Sequence, residues 1–364
     1  MADINKELEK RRSEGNFRIL KTSHAAVDFC SNDYLGQANS PSLKTKILKR
    51  LEAENLKQGA GAARLIGGNS AELEQLEAKL AEFHNAESAL VFSTGYLSNL
   101  ALFSSLPKKG DTVFYDELSH ASSKDGIRLS PAESYSFKHN DLADLEKKSA
   151  LAKGNVYLSV ESMYSMDGDY APLEELVAFA EKKGFFLIVD EAHTNGIYGK
   201  LGEGRVSELN LEKKVFARNL TFGKAVGVQG GAIIGPKNLR EYIINFSRPF
   251  IYSTAISPFL VAMIDEAYKE LPKLEAQRRQ LFDNVKLFNQ EVRREVKTHG
   301  PIQIVQVPGN VEAKAKATAM QEQGYDVRAV LSPTVQKGKE RLRICLHSFN
   351  SEDEIAQLAR ILND

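Results

Sequence analysis

Cysteine is scarce: Cys30 and Cys345 are the only two among 364 residues. They are too few and too far apart for a disulfide framework or a cysteine-rich zinc site, and they suit a reducing compartment, so a cytoplasmic protein is expected. Net charge is also missing, with 48 Lys and Arg against 48 Asp and Glu. That balance argues against a chain held to nucleic acid by bulk electrostatics. No apolar run approaches the ~20 residues that span a bilayer, and the charged start lacks the apolar core of a signal peptide. Neither membrane insertion nor secretion is expected. The 7 histidines fall at no metal-ligand spacing and no GxSxG elbow occurs, which weakens metal and serine-hydrolase readings.

What is present is 42% apolar and 26% charged residues, over a length of about two domains at ~150 residues each. From about Ser70, short runs rich in Val, Ile, Phe and Tyr alternate with helical-period segments, the pattern of βαβ units in a sheet covered on both faces. Strands are predicted at Ala89–Phe92, Thr112–Tyr115, Ser134–Phe137, Val156–Val160, Phe185–Val189, Phe216–Leu220 and Ala232–Ile234. Apolar residues at three- and four-residue steps predict helices at Ala71–His84, Leu142–Ala152 and Leu173–Lys183. Beyond Ile256 the pattern predicts one long helical stretch to about Val296, then strands at Ile302–Val307, Val327–Val330 and Leu342–Leu346. A closing helix opens with Ser351 and Glu354 at capping-box spacing. The expected layout is an N-terminal arm (1–45), a large α/β domain (46–258) with a mostly parallel sheet, and a small α+β domain (259–364).

Two motif matches fail on their context. Gly59-Ala-Gly61-Ala-Ala-Arg64 is a broken GxGxxG that follows a lysine-rich helical segment where a dinucleotide site needs a strand. Asp190-Glu191-Ala192-His193 spells the DEAH of helicases, yet no GxxxxGK[ST] phosphate loop accompanies it.

The informative groups sit at the carboxyl ends of predicted strands, where open α/β sheets bind ligands. Asp190 follows an apolar strand, with His193 three residues on; a carboxylate at the edge of a dry core calls for a cationic partner. Lys224 follows another strand and is trailed by Gly227, Gly230 and Gly231, small residues that leave room beside it for something bulky. Ser93-Thr94-Gly95-Tyr96 leads into a helix expected to start near Leu97, whose free N–H groups favour a phosphate. His120, just after the Thr112–Tyr115 strand, offers a flat ring for stacking. Singly, each has an ordinary explanation as a cap, a solvated lysine or a satisfied histidine. Jointly they match the phosphate, ring face, pyridine nitrogen, phenolic oxygen and aldehyde of pyridoxal 5'-phosphate (PLP).

Over nearly its whole length the sequence resembles the α-oxoamine synthases. The motifs run from Phe29-Cys-Ser-Asn-Asp-Tyr-Leu-Gly36 through Ser119-His-Ala-Ser122, Ser165-Met-Asp-Gly168 and Asp190-Glu-Ala-His193 to Thr221-Phe-Gly-Lys224, Ile251-Tyr-Ser-Thr254 and Arg341-Leu-Arg343. The resemblance implies the aspartate-aminotransferase fold (PLP fold type I) and a homodimer with shared active sites. It implies decarboxylative condensation of an amino acid with an acyl thioester of coenzyme A or an acyl-carrier protein. Within the family the biotin-pathway branch matches best, implying L-alanine, a pimeloyl thioester and the product 8-amino-7-oxononanoate. The alternative is a sister activity using glycine or serine, such as that of 2-amino-3-ketobutyrate CoA ligase. A non-catalytic partner subunit would lack the lysine, which is present here.

Residue by residue, the resemblance implies that Lys224 links to the cofactor aldehyde, Asp190 pairs with the pyridine nitrogen, His193 contacts the phenolic oxygen and His120 covers the ring. Ser165 would add a polar contact. Gly95, Tyr96 and Thr221 would hold the phosphate, joined by Ser253 and Thr254 from the partner subunit. Asn32 and Arg343 would receive the amino-acid carboxylate. The sequence departs from the family at Arg64-Leu-Ile-Gly-Gly68, near the acyl channel, and in a short segment before Asp28.

Overall fold

The computed structural model describes residues 3–20, 22, 27–293 and 298–363. Its strands are β1 (Val27–Asp28), β2 (Ser88–Phe92), β3 (Thr112–Asp116), β4 (Glu133–Phe137), β5 (Val156–Glu161), β6 (Phe186–Asp190), β7 (Ala217–Thr221), β8 (Gly231–Gly235), β9 (Ile302–Gln306), β10 (Tyr325–Asp326), β11 (Arg328–Val330) and β12 (Arg341–Cys345). The chain forms two compact units, a large one of Leu35–Tyr164 and Tyr170–Ala276 and a small one of Met1–Tyr34, Ser165–Asp169 and Gln277–Asp364.

The large unit holds a seven-stranded sheet in the order β2-β8-β7-β6-β5-β3-β4. It is parallel from β7 to β4, and only β8 runs against its neighbours. All six residues of β5 are buried, as expected for a strand covered on both faces. Successive side chains point to opposite faces, so Phe114, Leu158 and Leu187 enter one apolar core while Val113, Tyr157 and Ile188 enter the other. The helix Leu173–Lys183 buries Leu173, Leu176, Val177 and Ala180 in the first core. It ends at Gly184, whose φ of 70° is the left-handed conformation that favours glycine.

In the small unit, β9, β11 and β12 form an antiparallel sheet in the order β11-β12-β9, and β1 pairs in parallel with β10. Phe29, Phe288, Leu342, Ile344 and Leu358 fill its core. The helix Glu352–Asn363 carries the expected capping box: the Ser351 N–H donates to Glu354 (2.8 Å) and the Glu354 N–H donates to Ser351 Oγ (3.2 Å).

Two expectations need correction. The long helical stretch after Ile256 is two helices, Pro258–Glu270 and Glu275–Glu291, separated by a 3₁₀ turn at Leu271–Lys273. Pro272 has no N–H to continue the first helix. The expected end near Val296 lies outside the described residues. The three consecutive spans of the expected layout also differ from the observed units, because residues 35–45 and 259–276 belong to the large one. Charge explains part of this. Asp265 on Pro258–Glu270 is buried and takes ion pairs from Arg50 (2.5 Å) and Lys79 (2.7 Å), both in the large unit.

Candidate active site

Asp190, Glu161 and Asn219 stand in one row across the carboxyl ends of β6, β5 and β7, by direct register. They line a cavity of about 230 Å³ together with His120, His193 and Lys224. Each strand delivers its polar group as it leaves the apolar core. Asp190 is buried and accepts from Asn99 Nδ2 (2.6 Å), Asn219 Nδ2 (3.1 Å) and the Ala192 N–H (2.8 Å). All three partners are neutral, and Asp190 makes no ion pair among the described residues. A buried carboxylate in that state is stabilised by a cation brought in by a ligand.

Lys224 follows β7, and its Nζ lies 2.8 Å from Nε2 of buried His193. The glycines after it do not open space beside the lysine. A Cβ at Gly227 would meet the Gln37 backbone carbon at 2.5 Å, and one at Gly230 would meet the Phe222 ring at 2.8 Å. These glycines admit close chain packing, and the room for a ligand lies on the strand-end side instead.

His120 caps the helix Ala121–Leu129. The Ser122 N–H donates to its Nδ1 (3.2 Å), so the neutral ring carries its proton on Nε2. Asn99 Nδ2 donates to Ser122 Oγ (3.0 Å), which lies 2.7 Å from the same Nδ1. Burial lowers the His120 pKa in spite of the nearby Asp190 charge, which favours an uncharged ring.

The helix Gly95–Ser105 starts two residues earlier than expected, because Thr94 is its cap and accepts from the Leu97 N–H (3.1 Å). The Gly95 and Tyr96 N–H groups belong to its first turn and have no acceptor earlier in the helix. Thr221 packs under this turn; a Cβ on Gly95 would sit 3.0 Å from the Thr221 Cβ. Gly95, Tyr96 and Thr221 all line the cavity. The donor set fits PLP: an anion seat, a flat neutral ring, an amine beside an imidazole, and a buried carboxylate awaiting a cation.

Ser253 and Thr254 are not among the residues lining this cavity; they line a smaller one with Arg64 and Phe250. Thr254 bridges to Ala63, just ahead of a helical turn, Arg64–Gly68, that exposes Leu65 and Ile66. In the small unit, Arg343 Nε donates to the Ser165 carbonyl (2.7 Å), Nη2 to Asn32 Oδ1 (2.9 Å) and Nη1 to Cys345 Sγ (2.9 Å). At most two of its five N–H groups remain for a carboxylate. Arg341 is already committed, buried in an ion pair with Asp167.

Asn99, Glu161 and Asn219 were not singled out from the sequence. Glu161 ends an apolar strand as Asp190 does, and the rule that found one finds the other. The two asparagines carry no such signal.

The family model for aminotransferase class I and II matches residues 25–362. The chain is 39% identical to the 8-amino-7-oxononanoate synthase of Emericella nidulans, over 98% of this chain and 93% of that one. The solved 8-amino-7-oxononanoate synthase of Francisella tularensis superposes with a TM-score of 0.79 at 29% identity, covering 93% of this chain and 97% of that one. Serine palmitoyltransferase from S. paucimobilis, with PLP and myriocin bound, superposes with a TM-score of 0.90 at 26% identity, covering 100% of this chain and 96% of that one.

Proposed function

Because the chain belongs to the aminotransferase class I and II family, and within it to the α-oxoamine synthases, we propose that it joins L-alanine to a pimeloyl thioester. It is a PLP-dependent enzyme of the acyltransferase type. The proposed overall reaction gives 8-amino-7-oxononanoate, carbon dioxide and the free thiol. The observation that carries the reading is Asp190, a buried carboxylate held by three neutral donors in the same cavity as Lys224.

Bound PLP supplies an electron sink for negative charge at the amino acid's α-carbon. Asp190 would hold the pyridine-nitrogen end of the bound cofactor and keep that nitrogen protonated. Lys224 would carry the cofactor and, once its amine is free, would act as the base for the α-proton of alanine. His193, next to that amine, would hold the phenolic oxygen, and His120 would cover the ring. The Gly95 and Tyr96 N–H groups and Thr221 would hold the phosphate. Ser165 would add a polar contact, and Asn32 and Arg343 would receive the alanine carboxylate.

We read the working form as a cytoplasmic homodimer in which each chain lends Ser253 and Thr254 to its partner's phosphate. The exposed Leu65, Ile66 and Tyr252 around these residues support an interface there. For the acyl group, a cavity of about 290 Å³ within the small unit is lined by Phe17, Met166, Val330 and Leu331 together with Arg11 and Arg18. An apolar seat with two guanidinium groups supports an acyl chain that ends in a carboxylate.

Incubation of alanine, glycine and serine with pimeloyl, acetyl, succinyl and palmitoyl thioesters, read by product mass, tests the reading. Alanine with the pimeloyl thioester is expected to be fastest; glycine with acetyl-CoA in first place would select the sister activity. A second test separates the two arginines of β12. Arg343→Lys removes the planar pair of donors and is expected to weaken alanine binding by about 1.5–3 kcal/mol. Arg341→Lys is expected to lower the melting temperature, because buried Arg341 pairs with half-buried Asp167, while leaving alanine binding near the parent value. Alanine titrations followed by cofactor absorbance measure both, and a larger affinity loss in Arg341→Lys reverses the assignment.

A further inference from the structure

Glu161 has no part in the reaction as described, yet it occupies the floor of the same cavity. It stands beside Asp190 by direct register between β5 and β6, and both side chains are buried. Two carboxylates held side by side in a dry site do not both ionise readily. Their hydrogen bonds decide which one keeps the proton. Asp190 accepts three, whereas the Glu161 side chain accepts one, from the His120 N–H. We propose that Glu161 holds a proton at neutral pH beside ionised Asp190, and that this proton, by removing a negative charge from the cavity, favours the uncharged amine of Lys224.

The surrounding charges agree with this assignment. Burial first, and then the Asp190 charge, pushes the Glu161 carboxyl up to about 8, with Asp116 adding to the rise and Lys224 and the His120 N–H opposing it. Lys124 and Tyr164 also feel the Glu161 charge. A second carboxylate in the same cavity, whose charge interacts with that of the amine, would stabilise the ammonium form, which neither attacks an aldehyde nor accepts a proton. The consequence for Lys224 rests on its role in the proposed function; the proton on Glu161 does not.

The test uses the full-length chain stripped of PLP, with ¹³C-labelled glutamate carboxyls. One glutamate resonance is expected to titrate near pH 8 and to disappear in Glu161→Gln. Coupling between two titrating sites is reciprocal. Lys224→Met should therefore move the Glu161 midpoint upward, and Glu161→Gln should move the half-labelling pH of Lys224 with acetic anhydride downward. Because the folded carboxyl binds its proton above the ordinary 4.5, stability is full below that value and falls as pH rises through about 8. Melting curves should show this slope in the parent chain and not in Glu161→Gln. Titration of every glutamate in the ordinary carboxylate range would overturn the protonation. A high Glu161 midpoint that Lys224→Met leaves unmoved would overturn the link to the amine. The first of these results is read on the parent chain alone, the second takes its assignment from a folded Glu161→Gln or, in its place, Glu161→Asp, and failure of the substrate panel would leave both standing.

Discussion

Lys224→Ala is expected to abolish turnover and to leave no borohydride-reducible attachment of PLP to the chain. Lys224 is half-buried beside His193, on the turn that β7 delivers to the cavity. Losing a positioned proton-transfer group costs about 10²–10⁴-fold in rate. Removing the amine proposed to carry the cofactor adds to that loss, because among the described residues no other lysine lines this cavity. The side chain is not part of the apolar cores, so the variant should fold with a melting temperature close to that of the cofactor-free parent. Peptide mass spectrometry after reduction reads the result. A pyridoxyl adduct on Lys200, or on any lysine other than Lys224, would reassign the site.

Asp190→Asn should retain PLP but lose α-proton exchange with alanine by about 10²–10³-fold, the range seen when one preorganised electrostatic partner is removed. The exchange is not perfectly isosteric here. Asn99 and Asn219 both donate to Oδ2, and the Ala192 N–H donates to Oδ1. An amide can satisfy only one side; its NH₂ then faces a donor, at about 1–3 kcal/mol of stability. Proton exchange followed by NMR in deuterated water, with melting curves as the control for fold, separates the two effects. Exchange at the parent rate would remove Asp190 from its proposed role.

Strands β2, β5, β6 and β8 are legible because their buried runs are largely apolar on both faces. The predicted Val156–Val160 and Phe185–Val189 differ from β5 and β6 only at their ends. The same apolar runs marked where polar groups emerge, which made Asp190 and Lys224 readable. Asn219 was hidden inside β7 because its polarity is absorbed by partners from other segments, Asp190 and Ser98, that sequence order does not reveal. The two-residue strands β1 and β10 are too short to show any period. The division into units is not legible for a related reason: Asp265 lies more than 180 residues from Arg50 and Lys79, and local composition holds no trace of that pairing. The glycines after Lys224 show the limit from the other side. Their spacing signals close approach, but only the fold identifies the approaching segment as Gln37–Ala38.

The pairing of β1 with β10 has a bearing on how the protein is made. Val27 meets Tyr325 in register, so a ribosome adding ~5–20 residues per second needs about 15–60 s to produce the partner strand after its mate has been synthesised. Throughout that interval the segment 35–276 can collapse around its own sheet, while Phe29 and Tyr34, fully buried in the finished protein, wait for the core that will cover them. The nascent chain therefore carries an apolar tether near its start for most of its synthesis. Slow translation lengthens that exposure, and chaperones that shield short apolar segments would act on this stretch before Gln277–Asp364, the bulk of the small unit, exists.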